Sequence, residues 1–479
     1  MLHDQKHIHF IGICGVGMSA LALALKEKGY AVTGSDKGFY PPVSTHLKDA
    51  GVSYYAGWHP EKMRLRSLSS ATQVELKDPD LVVVGNVASS TNPEWIYVQE
   101  HTLNYVSYPE LIKHFFLKKN SIVCAGTYGK STSTAILAWI LKENGFDPNY
   151  MFGGIPINDI PAAKLADSQW SVLEGDEYKT SRWDNGAKFL HYNPTHLLLT
   201  SVVWDHADVY PTEKSYVEAF ETLVKNLPKK GLLVLSAKVV HDHGQFIKLP
   251  RCPIVTYGKT EDNDYQYTDV KQTMQGIEFK IKYKSLVFNL ESSCLGDYMA
   301  DNITGCFAIA QHIGIAPYNI IQSIATFKGV KRRLEKRYEN SVTVFDDIAH
   351  SPKKAEAVLR SLRSVYSKKI IAIFEPNTGN RQHESIPGYD NRFTSADEVI
   401  IPRLTSLKQD PNKPAHIDGE QLAKVIQKTH VNVKYIEDDE KFLTYATKHT
   451  HEGDVIVFLG SHGFRGMIEG LIKKLSKNP

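Results

Sequence analysis

The stretch that decides the fold reads Ile122-Val123-Cys124-Ala125-Gly126-Thr127-Tyr128-Gly129-Lys130-Ser131-Thr132. Its four apolar residues predict a buried strand, and the glycines after them allow backbone N–H groups to converge on phosphate oxygens. Lys130 adds a positive charge, and the hydroxyl of Ser131 is a ligand type that Mg²⁺ accepts. Cys124 stands where the strict pattern GxxxxGK[ST] has its first glycine. A phosphate-binding loop is therefore one interpretation, and a tight strand-to-helix turn with a surface lysine is the other.

Composition and charge narrow the class of protein. At about 100–200 residues per domain, a chain of 479 residues indicates about three domains. The formal net charge is only +3, which gives no electrostatic footprint for nucleic acid. The five cysteines show no CxxC spacing, which favours reduced thiols over disulfides or a zinc site. Without a signal-peptide core or a run of about 18 apolar residues, we expect a cytoplasmic protein that does not insert into membranes.

Three blocks of alternating strand and helix patterns predict an α/β protein with largely parallel sheets. Charged segments separate the blocks and predict domains at residues 1–117, 118–328 and 329–479. Within the second block, the pattern becomes strand-rich and hairpin-like between about residues 232 and 293. The motifs that could carry chemistry follow the apolar strands, so we expect them at the carboxyl edges of these sheets.

The first block has a glycine-rich turn directly after its first strand, and small polar residues after two further strands. The spacing of the turn is GxxGxG, whereas the dinucleotide motif is GxGxxG. Such a turn can hold a pyrophosphate at a helix N-terminus, but its glycines can equally serve packing in a β–α crossover, and the polar residues can form a solvated loop. The residues singled out are Gly12, Gly15, Gly17, Met18, Ser35, Asp36, Ser89 and Asn92.

Acidic residues follow two strands of the second block. One strand ends in Glu174-Gly175-Asp176-Glu177, and the next ends in Asp205-His206-Ala207-Asp208. Carboxylates at strand ends beside a phosphate loop suit Mg²⁺. A surface acidic turn and a structural histidine are the alternatives.

The third block combines arginines with a strand that ends in charged residues. Lys331-Arg332-Arg333 precedes the strand that ends at Asp346-Asp347, and His350 follows it. The arginines offer positive charge for a transferring phosphoryl group, and the carboxylates could bind ribose hydroxyls or a metal. A linker followed by a helix N-cap would give the same pattern.

Taken in their order along the chain, these motifs resemble those of the Mur ligases, ATP-dependent amide-forming enzymes of bacterial peptidoglycan. The resemblance covers nearly the full length and is strongest to the branch of the family that acts on UDP-N-acetylmuramate. It implies a Rossmann-like N-terminal domain, a P-loop ATPase-like central domain and a Rossmann-like C-terminal domain. The motifs that carry it are Gly12–Met18, Gly126–Thr132, Glu174–Glu177, Asp205-His206, Gly296–Asn302, Gly329–Glu335 and Asp346–Pro352.

The resemblance implies acyl phosphate chemistry, in which ATP activates the lactyl carboxylate of UDP-N-acetylmuramate and an incoming amine displaces phosphate. Six stretches resemble members that attach the murein tripeptide L-alanyl-γ-D-glutamyl-meso-diaminopimelate, a recycling reaction. They are Glu174–Tyr178, Lys188–Pro194, Trp204–Tyr210, Phe327–Glu335, Asp346–His350 and Phe374–Pro376. Addition of L-alanine in de novo synthesis is the alternative, and a catalytically degenerate UDP-sugar-binding relative is another. The expected assembly is a monomer or a weak homo-oligomer.

By the same resemblance, each matching residue receives an expected role. ATP is assigned to Gly126, Thr127, Gly129, Lys130, Ser131, Thr132, Asn302 (adenine), Arg333 (phosphates) and Asp347 (ribose), and Mg²⁺ to Ser131, Glu174 and His206. UDP-N-acetylmuramate is assigned to Gly12, Gly15, Gly17, Met18, Ser35, Asp36, Ser89 and Asn92. The peptide is assigned to the surroundings of His350 and to Arg381, within Asn377–Arg381. The expected catalytic residues are Lys130, His206, Arg333 and His350.

The chain departs from the family's pattern at several motif positions. Tyr128 replaces a histidine in the phosphate loop, and Ser351 replaces the second histidine of His-His-Pro. The adenine motif Gly-x-His-Asn-x-x-Asn keeps only its last asparagine in Gly296–Asn302, which motivates the degenerate alternative. A nicotinamide-dependent oxidoreductase could use Gly12–Gly17 and Asp36, but it would leave the phosphate loop and the acidic strand ends unexplained.

Overall fold

The computed structural model describes residues 6–40, 43–68, 74–86, 88–206, 209–406 and 415–476. Contacts divide the chain into two compact units. The first contains Met1–Thr268, Lys280–Leu290 and Ala300–Phe327, and the second contains Asp269–Phe279, Glu291–Met299 and Lys328–Pro479. Within the described ranges, no helix is long and apolar enough to cross a membrane.

A five-stranded parallel sheet forms the N-terminal part of the chain. The strands and helices of this part of the chain are β1 (His7–Ile11), α1 (Val16–Glu27), β2 (Ala31–Asp36), α2 (Val43–Asp49), β3 (Ser53–Ala56), β4 (Leu65–Leu68), β5 (Val74–Lys77), β6 (Leu81–Val84), α3 (Pro93–Glu100), β7 (Tyr105–Ser107) and α4 (Tyr108–Phe115). The strand order is β3-β2-β1-β6-β7, and β4 and β5 form a separate antiparallel pair. Because β1 lies between β2 and β6, the turns after these three strands share one edge, which is where open α/β sheets bind ligands.

A ten-stranded sheet follows, and the strand that precedes the glycine-rich loop is an interior strand, fourth in its order. Its strands are β8 (Asn120–Ala125), β9 (Asn149–Met151), β10 (Ala163–Lys164), β11 (Trp170–Gly175), β12 (His196–Leu199), β13 (Leu232–Ser236), β14 (Ile254–Gly258), β15 (Tyr265–Thr273), β16 (Gly276–Tyr283) and β17 (Leu286–Ser292). The helices are α5 (Lys130–Glu143), α6 (Glu213–Lys225), α7 (Ala237–Asp242), α8 (Tyr298–His312) and α9 (Pro317–Thr326). The strand order is β10-β9-β11-β8-β12-β13-β14-β15-β16-β17. Parallel pairing of β8 with both β11 and β12 brings the two acidic strand ends to either side of the loop.

The C-terminal part contains a six-stranded sheet with the order β18-β19-β23-β20-β21-β22. Its segments are β18 (Glu335–Glu339), β19 (Thr343–Asp347), α10 (Pro352–Arg363), β20 (Ile370–Glu375), β21 (Glu398–Pro402), α11 (Gly419–Gln427), β22 (Val433–Ile436), α12 (Asp439–Lys448), β23 (Val455–Gly460) and α13 (Met467–Leu475). All pairs are parallel except β18 with β19. Strands β19, β20, β21 and β23 are buried along their whole length, which explains the apolar runs in β20, β21 and β23.

The connections agree with the pattern of the sequence, whereas the exact domain limits stay predictions. The limit at 117/118 falls between α4 and β8, and the limit at 328/329 falls between α9 and β18. The division into two compact units does not separate the first two predicted domains. The structure shows no disulfide among the five cysteines, and Cys124, Cys252 and Cys306 are buried.

Candidate active site

The loop between β8 and α5 adopts a backbone that requires its glycines. Gly126 (φ +136°) and Gly129 (φ +83°) lie in the left-handed region, and α5 begins at the next residue. A Cβ atom on Gly126 would lie 2.3 Å from Thr200 Oγ1 and 2.7 Å from the carbonyl oxygen of Ser201. No side chain fits there, so the loop is held tightly against the segment after β12. Its backbone leads into a helix N-terminus, an arrangement that favours anions.

The side chain of Lys130 folds back over the loop. Its ammonium donates to the carbonyl oxygen of Gly126 at 2.6 Å and lies 2.9 Å from Glu177 Oε2. The two side chains are 14% and 2% exposed. Burial by itself would lower the pKa of Lys130, but the carboxylates of Glu177 and Glu174 outweigh it and raise this pKa. The loop therefore carries a permanent positive charge.

Ser131 and Glu174 form a second contact at the start of α5. The Ser131 hydroxyl donates to Glu174 Oε1 at 2.7 Å, and the backbone N–H of Gly153 donates to Glu174 Oε2 at 2.5 Å. Glu174 is the fifth residue of β11 and pairs in register with Cys124 of β8. A hydroxyl and a carboxylate oxygen are thereby fixed beside the loop, and their assignment to Mg²⁺ stays a prediction.

The side chain of His206 faces Glu177 and not Glu174. The carboxylate of Glu174 instead accepts the hydroxyl of Ser131. The distance from His206 Nε2 to Glu177 Oε1 is 3.5 Å. The hydrogen bond with Glu177 raises the pKa of His206, against burial, which lowers it. His206 has φ +57°, a strained conformation for a non-glycine residue that is typical of functional sites. Ala207 and Asp208 of the predicted motif lie outside the described residues.

Glu177 is the residue of this site whose contacts sequence reasoning missed. Besides Lys130 and His206, it receives the hydroxyl of Tyr216 at 3.5 Å on Oε1 and that of Tyr210 at 2.5 Å on its carbonyl oxygen. The acidic turn after β11 was visible in the sequence. Which of its carboxylates points at the lysine depends on the path of the chain after the strand, and spacing alone does not determine that path.

Replacing Glu177 by glutamine is expected to lower the free energy of unfolding by about 3 kcal/mol, because it breaks a buried ion pair and removes the carboxylate nearest to the Lys130 ammonium. Urea denaturation measures the change. Asp147→Asn is the control, since Asp147 pairs with Lys164 at 2.6 Å near the surface, where a loss of no more than about 1 kcal/mol is expected. Equal losses in the two variants would contradict the burial argument.

Three further residues assigned to ATP lie in or near the loop. Asn302, on α8, approaches Gly129 so closely that a Cβ atom there would lie 2.5 Å from Asn302 Oδ1. Thr132 lies half-buried in the first turn of α5. Thr127 is anchored by its hydroxyl, which donates to the carbonyl oxygen of Val203 at 2.8 Å. The structure therefore groups the central-domain residues of the prediction around one loop.

The glycine-rich turn of the N-terminal sheet is held by the end of β2. The backbone N–H groups of Gly12 and Ile13 donate to the carbonyl oxygen of Ser35 at 2.8 and 3.0 Å, and that of Cys14 donates to Asp36 Oδ2 at 2.8 Å. Gly15 is the N-cap of α1, and Met18 is buried in this helix.

Gly17 allows α1 to pack closely against the side chains of Tyr108 and Met151. A Cβ atom on it would lie 2.9 Å from Tyr108 Cε2 and 3.2 Å from Met151 Cε. This is the alternative that the sequence left open for the glycines of the turn.

The loop after β6 completes the same edge of the sheet. The Ser89 hydroxyl is exposed and lies 3.0 Å from that of Thr91. Asn92 is the N-cap of α3, where its Oδ1 accepts from the backbone N–H groups of Glu94 and Trp95 at 2.9 and 3.1 Å. The three predicted segments of the N-terminal domain are therefore neighbours.

In the C-terminal unit, the structure separates the two predicted arginines. Arg332 is bound to the fold: its guanidinium donates to the carbonyl oxygens of Gly460 and His462 at 2.5 and 2.8 Å. Arg333 is exposed beside Asp347. Asp347 is buried at the end of β19, and its two oxygens accept from the backbone N–H groups of Leu334 and Ala349.

Asp347→Asn is expected to flatten the pH dependence of stability. Burial raises the pKa of Asp347 from 3.8 to about 6, although Arg333 opposes it. The folded state therefore holds this proton more tightly than the unfolded chain. The free energy of unfolding should fall as the pH rises from about 4 to about 6, by up to about 1.4 kcal/mol per pH unit from this group. Urea denaturation across that range measures the slope. An unchanged slope in the variant would contradict the prediction, and the exposed Asp159→Asn is the control.

Arg381 lies shortly after β20, and its side chain is buried. Its guanidinium donates to the carbonyl oxygens of Thr405 and Ile417 at 2.7 and 3.2 Å, and burial lowers its pKa. His350 is half-buried, with Nδ1 2.7 Å from the carbonyl oxygen of Ile348. Two of the donors of Arg381 are therefore bound to the fold, and its assignment to the peptide remains a prediction.

The residues present fit a magnesium ion only in part. Ser131 Oγ and Glu174 Oε1 are hard oxygen donors, which Mg²⁺ prefers, and they lie 2.7 Å apart at the start of a phosphate-loop helix. Among the described residues, no three His, Cys, Asp or Glu side chains are grouped to hold a metal. This donor set suits an ion that keeps most of its water or phosphate ligands.

Comparisons with known proteins match this chain along nearly its whole length. Three family models match it: "Mur ligase family, catalytic domain" at residues 7–120, "Mur ligase middle domain" at 124–310 and "Mur ligase, glutamate ligase domain" at 332–462. The predicted fold class, with three α/β domains of this family, is thereby confirmed.

Individual relatives include ligases with two different acceptors. A UDP-N-acetylmuramate–L-alanyl-γ-D-glutamyl-meso-2,6-diaminoheptandioate ligase of Escherichia coli (strain K12) is 30% identical over 98% of both chains. A UDP-N-acetylmuramate–L-alanine ligase of Brachyspira hyodysenteriae is 30% identical over 95% of both. The crystal structure of a murein peptide ligase from Psychrobacter arcticus aligns with a TM-score of 0.70 at 26% identity, over 98% of each chain.

Proposed function

Because this chain belongs to the Mur ligase family, it is an ATP-dependent ligase that forms a carbon–nitrogen bond, and we propose that it joins UDP-N-acetylmuramate to L-alanyl-γ-D-glutamyl-meso-diaminopimelate. The observation that supports the tripeptide as acceptor is that three of the stretches that resemble tripeptide-adding ligases contact one another in the structure. Asp176 of the first binds Lys188 of the second at 2.6 Å, and Tyr210 of the third donates to the carbonyl oxygen of Glu177. The reaction belongs to peptidoglycan recycling.

The proposed reaction has two steps. A lactyl carboxylate oxygen attacks the γ-phosphorus of ATP, ADP leaves, and an acyl phosphate forms. The acceptor amine then attacks the acyl carbon, loses a proton and expels inorganic phosphate. Because phosphoryl transfer needs positioning and neutralisation of charge more than a protein nucleophile, the protein acts mainly by holding the reactants.

On the ATP side, the loop and its partners supply charge and hydrogen bonds. Lys130 would bind the β- and γ-phosphates, since its ammonium already lies over the carbonyl oxygen of Gly126. Ser131 and Glu174 would hold Mg²⁺, which neutralises phosphate charge when it is bound. His206 is proposed as a further ligand, oriented by Glu177. Gly126, Thr127, Gly129 and Thr132 would complete the phosphate cradle, and Asn302 would face adenine.

On the substrate side, the shared edge of the N-terminal sheet would hold the UDP group. The residues proposed for it are Gly12, Gly15, Gly17, Met18, Ser35, Asp36, Ser89 and Asn92. In the C-terminal unit, Arg333 is proposed to contact the phosphates, Asp347 the ribose and His350 the peptide, with Arg381 shaping the pocket through the backbone that it holds.

Ligation of L-alanine is the second candidate. The L-alanine ligase of B. hyodysenteriae is as similar in sequence as the E. coli tripeptide ligase, at 30% identity for each. The two functions share the ATP site and the UDP-sugar site, and they differ only in the acceptor. A degenerate relative would keep the UDP-sugar site alone.

The test is phosphate release from ATP and Mg²⁺ with UDP-N-acetylmuramate, with L-alanine and the tripeptide compared as acceptors. Release that depends on the tripeptide supports the proposal. Release that depends on L-alanine replaces it by the second candidate. If neither acceptor gives release while UDP-N-acetylmuramate still binds, the chain is a degenerate relative.

A further inference from the structure

A buried carboxylate joins three segments of the N-terminal domain. Glu94, in the first turn of α3, has 0% exposure. Its Oε1 accepts from the Tyr55 hydroxyl at 2.6 Å and from the backbone N–H of His59 at 2.8 Å. Its Oε2 accepts from the hydroxyl of Ser35. Despite burial, which would raise it, the pKa of Glu94 is lowered by His9 and by the hydroxyls of Ser35 and Tyr55, which favours the anion.

These hydrogen bonds continue into the glycine-rich turn. The carbonyl oxygen of Ser35 accepts from Gly12 and Ile13, and the neighbouring Asp36 accepts from Cys14. Glu94 is therefore two hydrogen bonds from the turn after β1 by way of the end of β2.

The third segment is the loop that ends at Asn92. Asn92 Oδ1 caps the backbone N–H of Glu94 at 2.9 Å, so the loop and the carboxylate are fixed relative to each other. Asn92 is 2% exposed, and its Nδ2 has no hydrogen-bond partner among the described residues. Leaving a buried amide donor without a protein acceptor costs free energy.

We propose that Glu94 is a positioning residue for the UDP-sugar site, whose carboxylate acts through the hydroxyl of Ser35. This inference rests on the proposed function, since it takes the UDP group to lie on this edge of the sheet. Glu94 fixes the end of β2, the turn after β1 and the loop before α3 in the arrangement that the ligand requires. Without its charge, the free protein must order these segments at the moment of binding, and affinity falls.

The test variant is Glu94→Gln, which is nearly isosteric. Glutamine keeps an oxygen for Tyr55 and His59, but its amide group cannot accept the hydroxyl of Ser35. The variant loses the hydrogen bond from the Ser35 hydroxyl to a charged carboxylate. Because such a bond contributes enough free energy to change an affinity about tenfold, the KM for UDP-N-acetylmuramate should rise about tenfold. The kcat at saturation and the KM for ATP should stay within about twofold of wild type. Tyr55→Phe removes a different donor and should give a smaller rise in the same KM.

Glu398→Gln is the matched control. Glu398 is also buried, at 1% exposure, and it bonds Lys434 and Tyr445 at 2.9 and 2.6 Å in the C-terminal unit. Its replacement should lower the thermal midpoint without changing the KM for UDP-N-acetylmuramate. A rise in this KM that is equal in Glu94→Gln and Glu398→Gln overturns the proposal, because it reports general destabilisation.

Calorimetric titration of UDP-N-acetylmuramate into the wild-type protein and the variants separates the two proposals. If the wild-type protein binds and Glu94→Gln binds equally well, the role of Glu94 is overturned and the proposed function stands. If the wild-type protein does not bind, the proposed function and this inference both fail. If Glu94→Gln does not fold, the affinity of Tyr55→Phe for UDP-N-acetylmuramate is the test. An affinity equal to that of the wild-type protein overturns the inference.

Discussion

Replacing Lys130 by alanine is expected to reduce ATP-dependent ligation by about 10³-fold while binding of UDP-N-acetylmuramate remains. The ammonium is the fixed positive charge of the loop, 2.6 Å from the carbonyl oxygen of Gly126. Removing one charge that stabilises a transferring phosphoryl group costs about this factor in related chemistry. The UDP-sugar residues lie on a different sheet, so their affinity should not change. Initial rates of phosphate release and calorimetric titration of the sugar nucleotide measure the two effects.

Lys164→Ala is the control for this prediction. Lys164 also forms an ion pair in the central domain, with Asp147 at 2.6 Å, but it lies away from the loop on β10. Its variant should retain wild-type turnover. Undiminished turnover in Lys130→Ala would reject the phosphate-loop assignment, and loss of UDP-sugar binding would show that the variant is damaged beyond the ATP site.

Glu174→Gln is expected to raise the Mg²⁺ concentration for half-maximal activity by at least about tenfold. Glutamine keeps the size of the side chain but removes the negative charge that would face the ion, and disturbed metal sites commonly lose 10–100-fold in affinity. Ser131→Ala should act in the same direction, because Ser131 and Glu174 are bonded at 2.7 Å. Activity titrated with Mg²⁺ at saturating ATP and UDP-N-acetylmuramate gives the shift.

A matched variant exists in the N-terminal domain. Glu110 accepts from the hydroxyl of Ser107 at 2.6 Å at the start of α4, the same pair of residue types at a helix N-terminus. Glu110→Gln should leave the Mg²⁺ titration unchanged. A titration for Glu174→Gln that superimposes on that of Glu110→Gln would remove Glu174 from the metal site.

The sequence predicted the parts of the site that depend on strand order. The apolar run ending at Ala125 and the glycines after it required a strand, a turn and a helix, and these are present. The acidic residues after β11 and the Asp205-His206 pair after β12 lie on either side of the loop, because both strands pair in parallel with β8 and the carboxyl ends of the three strands meet at one edge. The family motifs made the same assignment from residue identity.

The sequence could not predict which side chains of a motif point inward. Arg332 and Arg333 are adjacent and identical in type, yet one is bound to the carbonyl oxygens after β23 and the other is exposed. Arg381 is buried through the path of a distant segment near Ile417, which no local pattern encodes. Glu94 follows a common Asn-Pro helix start, and only the fold shows that Tyr55 and Ser35 converge on it.

The most direct test of the central claim uses UDP-N-acetylmuramate labelled with ¹⁸O in its lactyl carboxylate, together with ATP, Mg²⁺ and the murein tripeptide. The attacking carboxylate oxygen becomes the bridging oxygen of the acyl phosphate and leaves with phosphate. We predict one ¹⁸O atom in the released phosphate, and a product whose mass equals the two substrates minus one labelled water. Phosphate without ¹⁸O, or no ligated product with the tripeptide, would contradict the account.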